Sequence, residues 1–231
     1  IYKTFTFFNR MFRSETAAYV NLNETIFIDI HIDSDPAFTS GSFSSYLNNV
    51  GDDRLAVVWS YGGAPPHVAY KVIDYAGNEI HPATEVDPGG SIITNTAFAA
   101  LSNNQGFVVG AGNYNSSLVE NHIRIFDKDG KAITDPIDVW AGTALDNQRL
   151  EMPHIYTLSS GGFLYFSSNI GNTTAYFRLF DDVGNALTDV VQIDSAEGNH
   201  TILNAYESQD GYLVLKTNGE GALSREPEYS V

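Results

Sequence analysis

Short runs in which apolar and polar positions alternate, separated by turns rich in glycine, asparagine and aspartate, recur along most of this chain and predict antiparallel strands. The runs are also copies of one another. Tyr70-Lys71-Val72-Ile73-Asp74, Ile123-Arg124-Ile125-Phe126-Asp127 and Phe177-Arg178-Leu179-Phe180-Asp181 share one order of apolar, basic, aliphatic, apolar and Asp, spaced by 53 and then 54 residues. A glycine follows each Asp after two residues (Gly77, Gly130, Gly184), and three residues later stands an aliphatic one (Ile80, Ile133, Leu187). This is the pattern of a strand, a tight turn suited to positive φ, and a second strand. Each copy then reaches a β-branched residue, Val86, Val139 or Ile193.

A second strand type precedes each unit: Gly106-Phe107-Val108-Val109, Gly162-Phe163-Leu164-Tyr165 and Gly211-Tyr212-Leu213-Val214, with Arg54 to Trp59 as the earliest version. Shorter apolar stretches come before these, such as Ala97 to Leu101, His154 to Leu158 and Ile202 to Tyr206. Each repeat therefore reads as four short strands, a to d, in the length of a propeller blade. The last repeat has a and b and then a polar tail, while Tyr2 to Phe5, with Asn9 in place of the glycine and Phe12 in place of Ile80, reads as a weaker c and d. The expected fold is thus all-β, a four-bladed β-propeller-like array of four-stranded antiparallel repeats. Residues 1–20 form a half blade that completes the last one within the molecule or between molecules. Residues 21–50 hold an extra strand around Thr25 to Ile32 and a Ser/Gly linker, and residues 51–231 hold the repeats.

The combination of Gly-Phe-Val-Val with a following Phe-Asp-x-x-Gly hairpin resembles the propeller-type repeats of large extracellular surface and adhesion proteins, over roughly residues 54 to 219 and more weakly 1 to 19. The resemblance implies a repeat scaffold outside the cell and carries no catalytic residues with it. The first copy departs from it, with Asp53-Arg54 where the others have the glycine.

Composition narrows the partners. With 12 Lys and Arg against 28 Asp and Glu the net charge is −16, and no basic cluster stands ready to neutralise phosphates, so nucleic acid is not an expected partner. No apolar run is long enough to suggest a membrane-inserted helix. Cysteine is absent, which removes disulfides, thiolate metal sites and cysteine nucleophiles together. No cofactor is expected; the candidate metal ligands are Asp127, Asp129 and Asp135 around Gly130, where calcium would find oxygen donors, although capping of the turn explains them more simply.

Four Asn-x-Ser/Thr sequons, at Asn23, Asn115, Asn172 and Asn199, are candidate glycosylation sites. The strand order puts Asn115 and Asn172 in b-to-c loops and Asn23 and Asn199 in connections between repeats, on one face of a propeller. Lys71, Arg124 and Arg178 share one position, with Lys3 as a fourth, and are expected to form a solvated ladder with cross-strand acids. Trp140 reads as packing between blades or, with Tyr61 and Tyr114, as a platform for a sugar ring. His154, beside Glu151 and Pro153, reads as an ordinary strand residue. No Gly-x-Ser-x-Gly elbow, phosphate loop or paired acids on apolar strands is seen.

The sequence thus leads to the expectation of a non-catalytic, extracellular, glycosylated structural or adhesion module. Self-assembly into oligomers or a filament is expected through strand exchange by Ile1, Tyr2, Phe5, Phe7, Phe8 and Phe12. The alternatives are a carbohydrate-binding propeller that takes glycans as partners and an extracellular glycoside hydrolase or lyase.

Overall fold

The computed structural model describes residues 5–8, 16–21, 24–28, 45–61, 67–86, 93–115, 118–146, 150–169, 174–194, 201–207, 212–218 and 228–230. These residues form strands and turns, and among them no helix is long and apolar enough to cross a membrane. The first sheet holds β1 (Phe5–Phe8), β2 (Thr16–Asn21) and β3 (Glu24–Ile28); the second holds β4 (Ser45–Gly51), β5 (Arg54–Tyr61), β6 (His67–Asp74) and β7 (Glu79–Glu85). The third comprises β8 (Ile93–Ala100), β9 (Gly106–Asn115), β10 (Leu118–Asp127) and β11 (Ile137–Asp138), and the fourth β12 (Leu150–Thr157), β13 (Phe163–Asn169), β14 (Thr174–Phe180) and β15 (Val191–Asp194). The fifth contains β16 (Thr201–Glu207), β17 (Tyr212–Asn218) and β18 (Glu228–Ser230). Every sheet is an antiparallel meander in chain order.

The strand sequences explain how the sheets stack. The interior strand β5 is buried on both faces, so its apolar residues divide by parity. Leu55, Val57 and Trp59 join one cluster with Leu47 and Ile73; Ala56 and Val58 join another with Phe107, Val109 and Phe126 of the third sheet. Val108, Ile123 and Ile125 in turn pack with Phe163 and Tyr165 of the fourth sheet, whose other face carries Leu164, Phe166 and Leu179. Each such fully buried side chain contributes roughly 1.5–3 kcal/mol. The first strands gather together, with β4 against β8, β8 against β12 and β12 against β16. Tyr46 donates to the Thr96 carbonyl at 2.7 Å, and the Thr157 hydroxyl donates to the Ala100 carbonyl. The stack is propeller-like: first strands gathered, partly exposed fourth strands such as β7 at the opposite edge.

Three devices repeat between successive sheets. Arg124 donates to the Val86 carbonyl of the second sheet at 2.6 Å, and Arg178 to the Val139 carbonyl at the end of the third at 3.0 Å. Each guanidinium also holds the carbonyl of a threonine on its own hairpin, Thr134 or Thr188. The a-to-b turn of one sheet reaches the c-to-d turn of the next, Arg54 to Asp129 and Asn103 to Asp182. Finally, Gly130 lies against His81 and Gly184 against Ile137, so close that an added Cβ would approach those side chains to 2.7 and 2.4 Å.

Several expectations are corrected. The described residues form five sheets rather than four blades, because Glu24–Ile28, read as an extra strand, pairs with β2 and gives the N-terminal strands a sheet of their own. Those strands do not complete the last sheet within the molecule: Phe5, Phe7 and Phe8 pair with Tyr19, Ala17 and Thr16, and β18 takes the place beside β17. Ile1, Tyr2 and Phe12 lie outside the described residues. The strand β4 begins at Ser45, where the expected Ser/Gly linker ends, and was hidden by the polar pair Asn48-Asn49. Among the described residues the expected ladder of basic residues exists only at Lys71, whose amine meets Glu79 at 2.6 Å; the two arginines turn to carbonyls of the preceding sheet instead, and Lys3 lies outside the described residues. Strand d is interrupted, since Thr134 and Thr188 accept the N–H groups of Ile125 and Leu179 through their hydroxyls. Ile80, Ile133 and Leu187 all stand exposed.

Candidate functional site

The end of the stack at which the first strands begin carries a register shift in three of the sheets. The strand β8 pairs at one residue and β12 and β16 at two before each shifts register, between Ile93 and Thr96, Glu151 and His154, and Ile202 and Asn204. Bulges of this kind re-aim side chains and are common beside binding sites. Glu151 stands at the bulge of β12, paired with Ser168, and is the acidic residue on the described first strands of the three central sheets.

Beyond the bulge, His154 lies 6.1 Å from the ring centres of both Tyr156 and Phe166. Burial disfavours its charged form and pushes its pKa below the ordinary value, and burial likewise raises the Tyr156 hydroxyl to about 12. This inner strand therefore offers a half-buried aromatic surface with a neutral imidazole.

At the same end of the second sheet, the last residue of β5, the first of β6 and the last of β7 meet. Tyr61 donates to Glu85, His67 Nδ1 lies 3.6 Å from the same carboxylate oxygen, and the Tyr61 and His67 rings stack at 5.5 Å. A carboxylate, a phenol and an imidazole in mutual contact form a hydrogen-bonding group suited to a hydroxylated ligand. Sequence reading singled out Tyr61 but missed Glu85 and His67. The available signal was departure from the repeat at His67, where the second copy has Glu120; Glu85 keeps an acidic counterpart there, Asp138.

The sugar platform is not formed as expected. Trp140 is 2% exposed and Tyr61 6% exposed, each packed in a core cluster, so neither presents a ring face to solvent; the side chain of Tyr114 lies outside the described residues. The aspartates are turn caps: Asp127 Oδ1 accepts the N–H groups of Asp129 and Lys131, Asp74 those of Ala76 and Asn78, and Asp181 those of Val183 and Asn185. Asp129 meets Arg54, Asp135 is exposed, and among the described residues no group of three or more His, Asp or Glu is placed to hold a metal ion. Of the sequons, Asn115 ends β9, while Asn23, Asn172 and Asn199 lie outside the described residues.

No family model matches the chain, and no curated protein does. Among solved structures, a glycosyl hydrolase from Bacteroides ovatus superimposes with a TM-score of 0.52 at 10% identity, over 79% of this chain and 62% of that one. The chain thus spans less than two thirds of that hydrolase. The GH43B protein of a Bacteroides ovatus xyloglucan PUL (14% identity, 92% of this chain and 44% of that one) and the catalytic domain of a Coprinopsis cinerea GH62 α-L-arabinofuranosidase (11%, 86% and 70%) each reach 0.48. The first of these likenesses defines the class of fold, an all-β stack of antiparallel sheets shared with a glycosyl hydrolase. It also corrects the expectation of a non-catalytic module. That expectation rested on reading the repeats as an adhesion scaffold, and a fold shared with an enzyme removes the ground for excluding catalysis.

Proposed function

We propose that this chain is part of an extracellular glycoside hydrolase that cleaves glycosidic bonds at the end of the stack where the first strands begin. The observation that carries the reading is a fold similar to that of a glycosyl hydrolase over 79% of the chain, in which the first strands of successive sheets gather together. Hydrolysis of a glycoside needs two carboxyl groups on either side of the bond, one to protonate the leaving oxygen and one to act as base or nucleophile. Glu151 is assigned as one of them from its place at the β12 bulge; Glu85, on the outer strand of the second sheet and three strands from β4, lies roughly 14 Å from the gathered strands and is not the other. The half-buried His154 and Tyr156, backed by the buried Phe166, supply apolar surface for the sugar's C–H face.

The test is release of reducing ends from a panel of aryl glycosides and plant and microbial polysaccharides, followed against a heat-denatured control. The proposal expects turnover on at least one member. A folded protein without turnover on any of them overturns it.

A further inference from the structure

Three residues between the third and fourth sheets break the repeat together. Asn121 occupies the position filled by Val68 and Ala175 in the sister copies, both buried. Tyr165 stands where Val57 and Val109 stand, and Trp140 follows Val139 where Asp87 and Asp194 follow Val86 and Ile193. The structure brings the three into one place. Tyr165 donates to Asn121 Oδ1 at 3.0 Å, and its ring meets the Trp140 ring edge-on at 5.7 Å. The Asn121 carbonyl accepts the Val139 N–H at 2.8 Å, which ties the residue preceding Trp140 to the same spot.

Asn121 and Tyr165 are 0% exposed and Trp140 is 2% exposed, yet Asn121 Nδ2 and Trp140 Nε1 have no acceptor among the described residues. Turning the amide over exchanges the unpaired nitrogen for an unpaired oxygen and leaves the need in place. A buried N–H group without an acceptor is costly, and sister copies show that the fold accommodates apolar residues at two of these positions. We propose that the interface between the third and fourth sheets holds a buried solvent site, in which ordered water accepts hydrogen bonds from Asn121 Nδ2 and Trp140 Nε1. A neutral occupant fits the surroundings: the Asp138 carboxylate, which accepts the Trp140 backbone N–H at 2.9 Å, opposes an anion there. Water also has the small size and the double role of acceptor and donor that such a dense interface requires.

The test uses the full chain in two measurements. A high-resolution crystal structure is expected to show a solvent peak about 3 Å from either nitrogen. In solution, the Trp140 indole proton is expected to give a cross-relaxation peak with long-lived water, and comparison with Trp59→Phe identifies which of the two indole signals belongs to Trp140. A dry interface with both nitrogens paired to protein oxygens, or no such cross peak, overturns the proposal. Density too large for water identifies a bound molecule instead and overturns the assignment to solvent.

Discussion

Glycines show at the scale of single residues how similar letters do different work. Gly77 sits at φ +85° with nothing within 4 Å of an added Cβ, so Gly77→Ala pays only for the left-handed backbone, ~1 kcal/mol. Gly162 combines φ +77° with the Phe180 carbonyl oxygen 2.1 Å from an added Cβ, so Gly162→Ala is expected to cost at least ~2 kcal/mol. Denaturant unfolding of the two variants checks the order. The recurrence of these glycines was legible in the sequence, but the close approach behind Gly162 was not, because it arises between neighbouring strands. His154 carries the pH dependence. Its pKa is lowered by burial in the folded state, so its contribution is full above the unfolded value, near 6.5, and is lost as pH falls through the lower folded value. Thermal melts of the wild type and His154→Phe are expected to converge or cross in favour of the variant as pH drops below about 6; parallel curves contradict the burial of this imidazole.

Between elements, stability rests on side chains that reach from one sheet to the one before it. Removing Arg124 or Arg178 leaves a carbonyl of the preceding sheet without its charged donor, so Arg124→Ala and Arg178→Ala are each expected to cost about 2 kcal/mol. The two act on different interfaces, and chemical denaturation of the double variant is expected to give a nearly additive loss. Substitution by Lys keeps the charge but loses the two-pronged grip, so it recovers only part of the effect. The hairpins Asp74 to Gly77, Asp127 to Gly130 and Asp181 to Gly184 were readable because their chemistry is local and repeated. The arginine contacts span 38 and 39 residues, and no local pattern says whether a basic residue on a strand faces an acid or a distant carbonyl. The separate N-terminal sheet was missed for a similar reason: the alternation of Thr25 to Ile28 announces a strand but not its partner.

For the whole molecule, the repeat gave away four-stranded antiparallel sheets and their stacking, since each strand b shows apolar residues at both parities. The site was less legible. His67 stands out only as a departure from its sister residues Glu120 and Thr174, and Glu151 only once β12 is seen among the gathered first strands. The account places a glycoside-cleaving centre at that end of the stack, and its most direct test is kcat for the wild type and for Glu151→Gln on the best substrate of the glycoside panel. The neutral, similarly shaped side chain is expected to lower kcat by about a hundredfold or more, the range for loss of a general acid or base, with the melting temperature little changed. A folded Glu151→Gln protein that turns over at the wild-type rate contradicts the account.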